Sequence, residues 1–311
     1  RLVSQIRREL SLEISIISLF ETPTIRDIAR KLSRNDENPT EHLPLVNAEA
    51  SPKKSIKSSP LSHQQERLWF LSQLDPLAPT YNMAEQLEWQ GDLNTGALSR
   101  SLSKVVERHA ILRTTFKTID GVSIQTVHPP NEAPLTFEER HVESLTPEEI
   151  KSQYKEFTHR PFDLTMGPLI RVLVSYETNR TTVQVCIHHI ATDGWSTGVL
   201  FRELQHYYLS ATTKISEAIP DLNVQYTDYV DWQNRFLTGP IADQQLAFWL
   251  DFLEGTPTQL NLPTDFQRPP KQSFKGTTRY FQIDLSLVER LHTVAQEQKI
   301  TAFSIWQSAF S

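Results

Sequence analysis

Disulfides, cysteine-based metal sites and the usual nucleotide-binding loops are all excluded by what this 311-residue sequence lacks. Its one cysteine, Cys186, cannot form an internal disulfide, and a reducing, cytoplasmic setting is expected. Glycine is scarce at nine residues, and neither GxGxxG nor GxxxxGK[ST] occurs. No apolar run reaches the roughly 20 residues of a membrane span. The net charge of -6 offers no basic excess for phosphate backbones, so nucleic acid is not an expected partner.

The sequence divides into three regions of different composition. Residues 1–33 show helical spacing of apolar residues, and Thr24 followed by Asp27 resembles a helix-capping box. Residues 36–60 are rich in Asn, Pro, Ser and Lys, which is typical of a linker. From Leu61 onward, helix and strand patterns alternate. Because the sequence has no initiating Met and begins and ends within helical patterns, we expect a segment of a longer protein.

The region after Leu61 predicts a mixed α/β (α+β) fold. Val183, Val185 and Ile187 recur at the spacing of a strand, and helical spacing follows Trp195. No internal repeat is visible, and the alternation lacks the regularity of a barrel. Further strands are predicted at 124–127, 135–137, 169–174 and 279–285, and further helices at 98–112, 226–236, 241–253 and 287–296.

The segment HHIATDG, residues 188–194, is the strongest candidate for a chemical site. Successive strand residues point to opposite sides, so one of His188 and His189 is predicted to brace the scaffold while the other reaches a cavity. A turn could bring the Asp193 carboxylate toward His189 or toward an arginine, and Gly194 is expected where a β-carbon would obstruct the backbone. Two other interpretations stay open: a packed pair of core histidines, and a metal site formed by His188, His189 and Asp193. The divergence of adjacent strand residues disfavours the metal site.

HHIATDG resembles the HHxxxDG signature of condensation domains in nonribosomal peptide synthetases. Five other segments are similar to further motifs of that family, in the same order: SHQQERLW at Ser62–Trp69, RHAILRTTF at Arg108–Phe116, PFDLTMGPLIR at Pro161–Arg171, YTDYVDWQ at Tyr226–Gln233 and LPTDFQRP at Leu262–Pro269. Gln64 stands where the first motif usually has Ala. The resemblance covers residues 61–311 and implies a chloramphenicol-acetyltransferase-like fold.

The resemblance also implies a reaction. An upstream carrier-bound acyl or peptidyl thioester would be transferred to the amine of a downstream carrier-bound aminoacyl group, which forms an amide bond. His189 is then expected to act as a base or as a positioner of the amine, with His188 bracing it. The Gly194 N–H is expected near the developing oxyanion, and Asp193 is expected to hold the turn through an arginine.

Several residues are expected to support this site. Arg108 and Arg113 are the first candidates for the arginine that pairs with Asp193, and Arg279 is a weaker one. Trp232 is expected to pack rather than react. Cys186 is disfavoured as a nucleophile because a thioester substrate arrives already activated.

Residues 1–35 resemble the back half of a peptidyl carrier domain, without the serine that bears phosphopantetheine. The expected order is this partial carrier, a linker at 36–60, the N-terminal lobe of a condensation domain at 61–235 and the start of its C-terminal lobe at 236–311. Phosphopantetheine arms would arrive on upstream and downstream carrier domains, with an adenylation domain in the same protein and no metal. A carrier directly upstream favours an L-configured donor, and the segment alone is expected to be inactive.

Other functions of the same fold stay open. A non-catalytic relative that recruits a tailoring enzyme is expected to have a degenerate HHxxxDG segment, and this one is intact. A hydroxyl acceptor would give an ester, and the sequence does not separate it from an amine. Epimerisation fits the opening motif less well, and heterocyclisation domains have a DxxxxD pattern in place of HHxxxDG.

Overall fold

The computed structural model describes Ile6, residues 24–34 and residues 57–311, apart from short gaps. The gaps are 133–134, 179, 214–217, 260–261, 268, 271–275 and 278. The chain forms two compact units, one of Leu43–Leu262 and one of Arg1–His42 with Pro263–Ser311.

The unit of Leu43–Leu262 contains two sheets. Its seven strands in the described part are β1 (Lys57–Pro60), β2 (Asn82–Trp89), β3 (Thr114–Ile119), β4 (Val122–Val127), β5 (Thr136–His141), β6 (Ile170–Tyr176) and β7 (Thr181–His188). The smaller sheet has the order β1-β4-β3 and the larger the order β2-β7-β6-β5. All neighbours pair antiparallel except β5 and β6, which run parallel.

Six described helices surround these sheets: α2 (His63–Leu74), α3 (Thr95–Arg108), α4 (Pro147–His159), α5 (Gly194–Thr212), α6 (Tyr226–Leu237) and α7 (Pro240–Phe252). The other unit has the described helices α1 (Ile25–Arg34), α8 (Leu285–Glu297) and α9 (Ala302–Phe310). As predicted, the Thr24 hydroxyl caps α1 by accepting from the Asp27 N–H at 3.2 Å. No helix in the described ranges is long and apolar enough to cross a membrane.

Strand β7 is buried on both faces, and this positions the end of the strand. Val183, Val185 and Ile187 belong to the main hydrophobic core. The alternate residues face α4, where Cys186 packs with Phe157 of that helix. Because a strand with two covered faces cannot shift by one residue without exchanging them, the register of β7 is fixed up to its last residue.

Side-chain amides join elements that are distant in sequence. Seven glutamines make four such joints: Gln65 to Gln125 (3.2 Å), Gln233 to Gln64 (3.1 Å), Gln184 to Gln86 (3.2 Å), and Gln225 to the Arg108 carbonyl (3.0 Å). An amide both donates and accepts, so one side chain can satisfy backbone and side-chain groups together. These glutamine joints connect the Ser62–Trp69, Arg108–Phe116 and Tyr226–Gln233 segments to one another and to the sheets.

The structure corrects two expectations. Lys57–Pro60, the end of the predicted linker, forms β1 because it pairs with β4 in register from Lys57 with Val127 to Pro60 with Ile124. Residues 279–284 form no strand, since the described part of their unit offers no strand to pair with, and Leu285 already begins α8. The other predicted strands and helices of residues 61–311 are present. The helices predicted within 1–23 lie outside the described residues, apart from the helical Ile6.

Candidate active site

The HHIATDG segment connects the end of β7 to the start of α5. The His188 N–H donates to the Leu169 carbonyl at 3.0 Å, and the His189 N–H donates to the Tyr81 carbonyl at 2.8 Å. The two backbones are therefore held by opposite neighbours, as in an antiparallel sheet. The imidazoles diverge as the strand period predicts: His188 is buried and His189 is exposed.

His188 is a neutral acceptor within the fold. Its Nδ1 accepts from the Ile190 N–H at 3.1 Å, and its ring lies between the rings of Tyr81 and Phe162, with centroids 6.4 and 6.0 Å away. Burial, with smaller contributions from the charges of His189 and Arg171, lowers the pKa of His188 from 6.5 to about 4. An uncharged ring is required for this geometry, since a protonated Nδ1 could not accept.

His189 presents its other nitrogen outward. Its Nδ1 lies 2.7 Å from the Thr192 carbonyl oxygen, which can only accept, so Nδ1 holds the proton of the neutral ring. No described residue bonds to Nε2, whose lone pair is therefore available to a proton donor. The carbonyl bond fixes both the tautomer and the direction of an exposed base.

Asp193 caps α5 instead of pairing with an arginine. Its carboxylate accepts from the Ser196 N–H at 2.7 Å, and this bond is the main reason that the pKa of Asp193 is lowered. No arginine among the described residues of 43–262 lies within ion-pair distance of it. The expected pairing of Asp193 with Arg108 or Arg113 is thus wrong, because the helix N-terminus already supplies the positive potential that the carboxylate needs.

The two arginines expected to pair with Asp193 have other partners. The Arg113 guanidinium donates to the carbonyls of Val106, Glu107 and His128. Arg108 binds Glu203 of α5 at 3.2 Å. Arg108 therefore joins α3 to α5, and Arg113 joins the end of α3 to the residue after β4.

Glu203 is a residue that the sequence analysis missed. Its carboxylate joins Arg108 on one oxygen and the His109 Nε2 on the other, at 2.6 Å, and all three side chains are largely buried. The sequence does contain a signal for this role. Glu203 lies three residues after Leu200 and four before Tyr207, on the predicted apolar face of α5. A charged residue on a buried face needs a partner of opposite charge.

The backbone conformation at position 194 does not require glycine. Its φ is not positive, and a β-carbon there would meet no atom of the described protein within 4 Å. The expectation that a β-carbon would obstruct the turn is wrong. The first helical residue of α5 instead borders open space, and its N–H donates to no described residue.

Trp232 and Tyr226 lie on α6. Trp232 stacks on Phe236 with ring centroids 5.3 Å apart. The Tyr226 hydroxyl lies 2.9 Å from the Ser62 hydroxyl, and burial raises the pKa of Tyr226, to which the charge of Asp193 also contributes. Tyr226, which was not predicted as a site residue, therefore links the first family-like motif to the Asp193 region.

Neither Cys186 nor Arg279 is placed by the structure as a partner of the exposed imidazole. Burial raises the pKa of the Cys186 thiol, and its sulfur lies 3.5 Å from Arg171 Nη2. Arg279 is exposed in the other compact unit. Within the described ranges, no group of three or more His, Cys, Asp or Glu side chains could hold a metal ion.

Replacing Asp193 by Ala is expected to lower the free energy of unfolding by about 1 kcal/mol, because the N-cap acceptor is lost. Asp193→Asn keeps an acceptor and should retain most of the stability. Urea unfolding of the full chain, with hydrogen exchange of the first turn of α5, measures both. Equal stability of the Ala and Asn variants would contradict the capping role.

The buried His188 predicts an acid-dependent loss of stability. Its pKa of about 4 in the folded chain lies below the unfolded value of 6.5, so the unfolded chain binds more protons between these pH values. The free energy of unfolding therefore keeps its full value above about pH 6.5. It falls as the pH drops, by about 2 kcal/mol at pH 5. Urea unfolding at pH 7.5 and 5.0 checks this. His188→Asn, which keeps an acceptor but cannot titrate, should lose about 2 kcal/mol less over the same interval.

Comparison with known families identifies the fold that carries this site. The family model described as "Condensation domain" matches residues 55–311. The chain belongs to the condensation-domain family. This confirms the predicted family and its α/β fold. The HHIATDG segment and the other five motifs all lie inside the matched residues.

The condensation-domain sequence is similar to parts of much larger proteins. Malpinin synthetase from Mortierella alpina is 34% identical over 315 residues, which cover 100% of this chain and 4% of that protein. Gramicidin S synthase 2 from Brevibacillus brevis is 30% identical over 310 residues, covering 99% and 6%. The chain thus spans a small fraction of the length of these relatives.

Solved structures agree with the fold. A four-domain nonribosomal peptide synthetase, holo-AB3403 bound to AMP and glycine, gives a TM-score of 0.70 at 23% identity, over 85% of this chain and 20% of that one. The X-domain in its complex with OxyB from teicoplanin biosynthesis gives 0.68 at 26% identity, over 81% and 56%.

Proposed function

We propose that this chain catalyses peptide-bond formation as a condensation domain of a nonribosomal peptide synthetase. The observation that carries the proposal is the exposed His189, whose Nδ1 proton is held by the Thr192 carbonyl at 2.7 Å and whose Nε2 is left as an acceptor. A base with a fixed tautomer and an open face is what an attacking amine needs. The acceptor would be an aminoacyl group and the donor an acyl or peptidyl thioester, each tethered to a carrier domain.

The proposed reaction forms a C–N bond and breaks a C–S bond. The α-amine has a pKa near 8, so roughly a tenth is already neutral at pH 7. The amine nitrogen attacks the thioester carbon and acquires a positive charge while the carbonyl oxygen becomes negative. His189 Nε2 takes one proton from that nitrogen. The oxyanion then re-forms the carbonyl and expels the thiolate, which receives the proton that His189 holds. Holding two tethered reactants in place contributes as well.

The start of α5 suits the negative charge of this intermediate. The Gly194 N–H belongs to the first turn of a 19-residue helix, where the unpaired N–H groups carry positive potential. A glycine there leaves open space beside the amide. We assign the Gly194 N–H to the oxyanion, with Asp193 positioning it by capping the helix.

The larger organisation of the protein is part of the proposal. We assign 61–235 to the N-terminal lobe, 236–311 to the start of the C-terminal lobe, 36–60 to a linker whose last four residues form β1, and 1–35 to part of a carrier domain. Phosphopantetheine arms would bring both thioesters to His189, and no residue of this chain is assigned to hold that group covalently. The partners would be carrier and adenylation domains of one cytoplasmic synthetase.

Two other functions of this fold predict different products. A recruiting domain would form no bond, and the intact exposed His189 argues against it. An ester-forming enzyme would use the same base on a hydroxyl. Nothing in the described site favours the hydroxyl over the amine.

Single-turnover transfer between loaded carriers separates these functions. The full synthetase would receive a labelled acyl group on the upstream carrier and an aminoacyl group, or its hydroxy-acid counterpart, on the downstream carrier. We expect the label to move to the downstream carrier as an amide, identified by mass spectrometry. Transfer to the hydroxy acid alone would support the ester-forming alternative, and no transfer with either acceptor would overturn the proposal.

A further inference from the structure

Arg171 is a buried cation without a carboxylate partner in the described part of the chain. It is 4% exposed, on the face of the larger sheet that α4 covers. Its Nη2 donates to the Arg160 carbonyl and lies 3.5 Å from the Cys186 sulfur, while its Nε has no hydrogen-bond partner. Because burying an unpaired charge is costly, its position calls for a role beyond packing.

The negative end of α4 balances this charge. The carbonyl of Arg160, at the C-terminal cap of α4, accepts from Arg171 and also from Asn82 Nδ2 at 2.9 Å. Asn82 also binds the Thr158 carbonyl at 2.8 Å, and it is the register partner of His188 on β2. Arg171 on β6 and Asn82 on β2 thus fasten the end of α4 to both strands that flank β7.

Phe162 connects the guanidinium to His188. The Arg171 guanidinium carbon lies 3.9 Å from the centre of the Phe162 ring, a cation–π contact. The same ring and the His188 imidazole meet edge to face, with centroids 6.0 Å apart. Removing the guanidinium would free the ring that shields His188 from water.

His188 in turn holds the turn that carries His189. Its Nδ1 accepts from the Ile190 N–H, the amide that follows His189. The charged groups that act on the imidazole are Arg171 and His189, and Tyr81, Phe162 and Asn82 are its uncharged neighbours. The cation and the desolvation both favour the neutral ring, which keeps Nδ1 an acceptor.

We propose that Arg171 is a positioning residue for the reaction at His189: it holds Phe162 and the end of α4 over His188, and so keeps that imidazole an uncharged acceptor for the turn. This inference rests on the proposed function. Arg171 touches neither substrate nor His189, and its effect passes through Phe162, His188 and the Ile190 amide.

The test combines a titration with a rate. In the full chain, ¹⁵N-histidine NMR would follow the His188 ring in the wild type, Arg171→Met and Arg171→Lys, with resonances assigned by His188→Asn. We expect the wild-type midpoint near 4 to rise by about one pH unit in Arg171→Met. Arg171→Lys keeps the charge, so its midpoint should stay close to the wild-type value. Arg180→Met, at the far end of the β6–β7 hairpin, is the matched control and should leave the midpoint unchanged.

The rate is measured as carrier-to-carrier transfer in the full synthetase. We expect Arg171→Met to lower it about tenfold at pH 8, with a larger loss at about pH 5, where the raised midpoint leaves about half of the His188 rings protonated, and Arg171→Lys to restore most of it. An unchanged His188 midpoint, or an equal loss in both variants at every pH, would overturn the positioning role. If the wild type transfers no acyl group, the proposed function fails while the titration still decides whether Arg171 controls His188.

Discussion

Replacing His189 by Ala lowers the rate of acyl transfer between carriers by about a hundredfold or more, if its Nε2 accepts the amine proton. Ala removes the imidazole nitrogen, Nε2, that no described residue bonds to. The backbone should be unaffected, because the His189 N–H still donates to the Tyr81 carbonyl. Single-turnover transfer in the full synthetase, at saturating carrier loading, measures the chemical step.

His141→Ala is the matched control for this experiment. His141 is also an exposed histidine, 75% exposed in its side chain, but it lies at the end of β5 beside Glu143. Its removal should leave the transfer rate unchanged. Undiminished turnover of the His189 variant would exclude both the base and the positioning role. If the variant loses a hundredfold in rate but recovers it at high pH, where the amine is already neutral, His189 is identified as the base.

Replacing Glu203 by Gln should lower the free energy of unfolding by about 3 kcal/mol, because it leaves the Arg108 guanidinium as a buried charge without its carboxylate. Arg108 keeps its bond to the Pro220 carbonyl at 2.7 Å, which does not supply a counter-charge. The His109 ring loses its charged partner as well. Since α5 begins at Gly194, loosening this helix against α3 should also reduce acyl transfer.

Urea unfolding of the full chain and hydrogen exchange of α3 and α5 measure the effect of Glu203→Gln. Glu143→Gln is the matched control, since Glu143 also pairs with a histidine, His141, at 3.1 Å, but on the surface. We expect no measurable change there, because exposed pairs contribute little. Equal free energies of unfolding of the two variants would show that the buried Glu203 pair contributes no more to stability than an exposed pair.

Local patterns were enough to predict the path of the chain through the site. Val183, Val185 and Ile187 revealed the strand and its two faces, and this alternation alone predicts that His188 and His189 diverge. The helix after Gly194 followed from the spacing of its apolar residues. These features depend on neighbours within a few positions, which is the range over which a sequence pattern carries information.

Partners that come from distant elements could not be predicted in the same way. Asp193 was expected to turn toward His189 or toward an arginine, and its actual partner, the N-terminus of α5, is seen only in the cap geometry. Glu203 gained its role from Arg108, 95 positions earlier. Lys57–Pro60 contains no apolar alternation and becomes a strand only because β4 supplies a pairing edge. Each depends on a contact that the spacing of residues does not encode.

The glutamine joints have a consequence for how this domain would tolerate its surroundings. Because side-chain amides have no net charge and do not titrate, neither dissolved ions nor acidity alters their attraction. A change in the salt concentration or the pH of the cell would therefore not weaken these hydrogen bonds between glutamine side chains. Any weakening of the domain by acid should begin instead at His188, whose Nδ1 accepts from the Ile190 N–H only while the imidazole is uncharged.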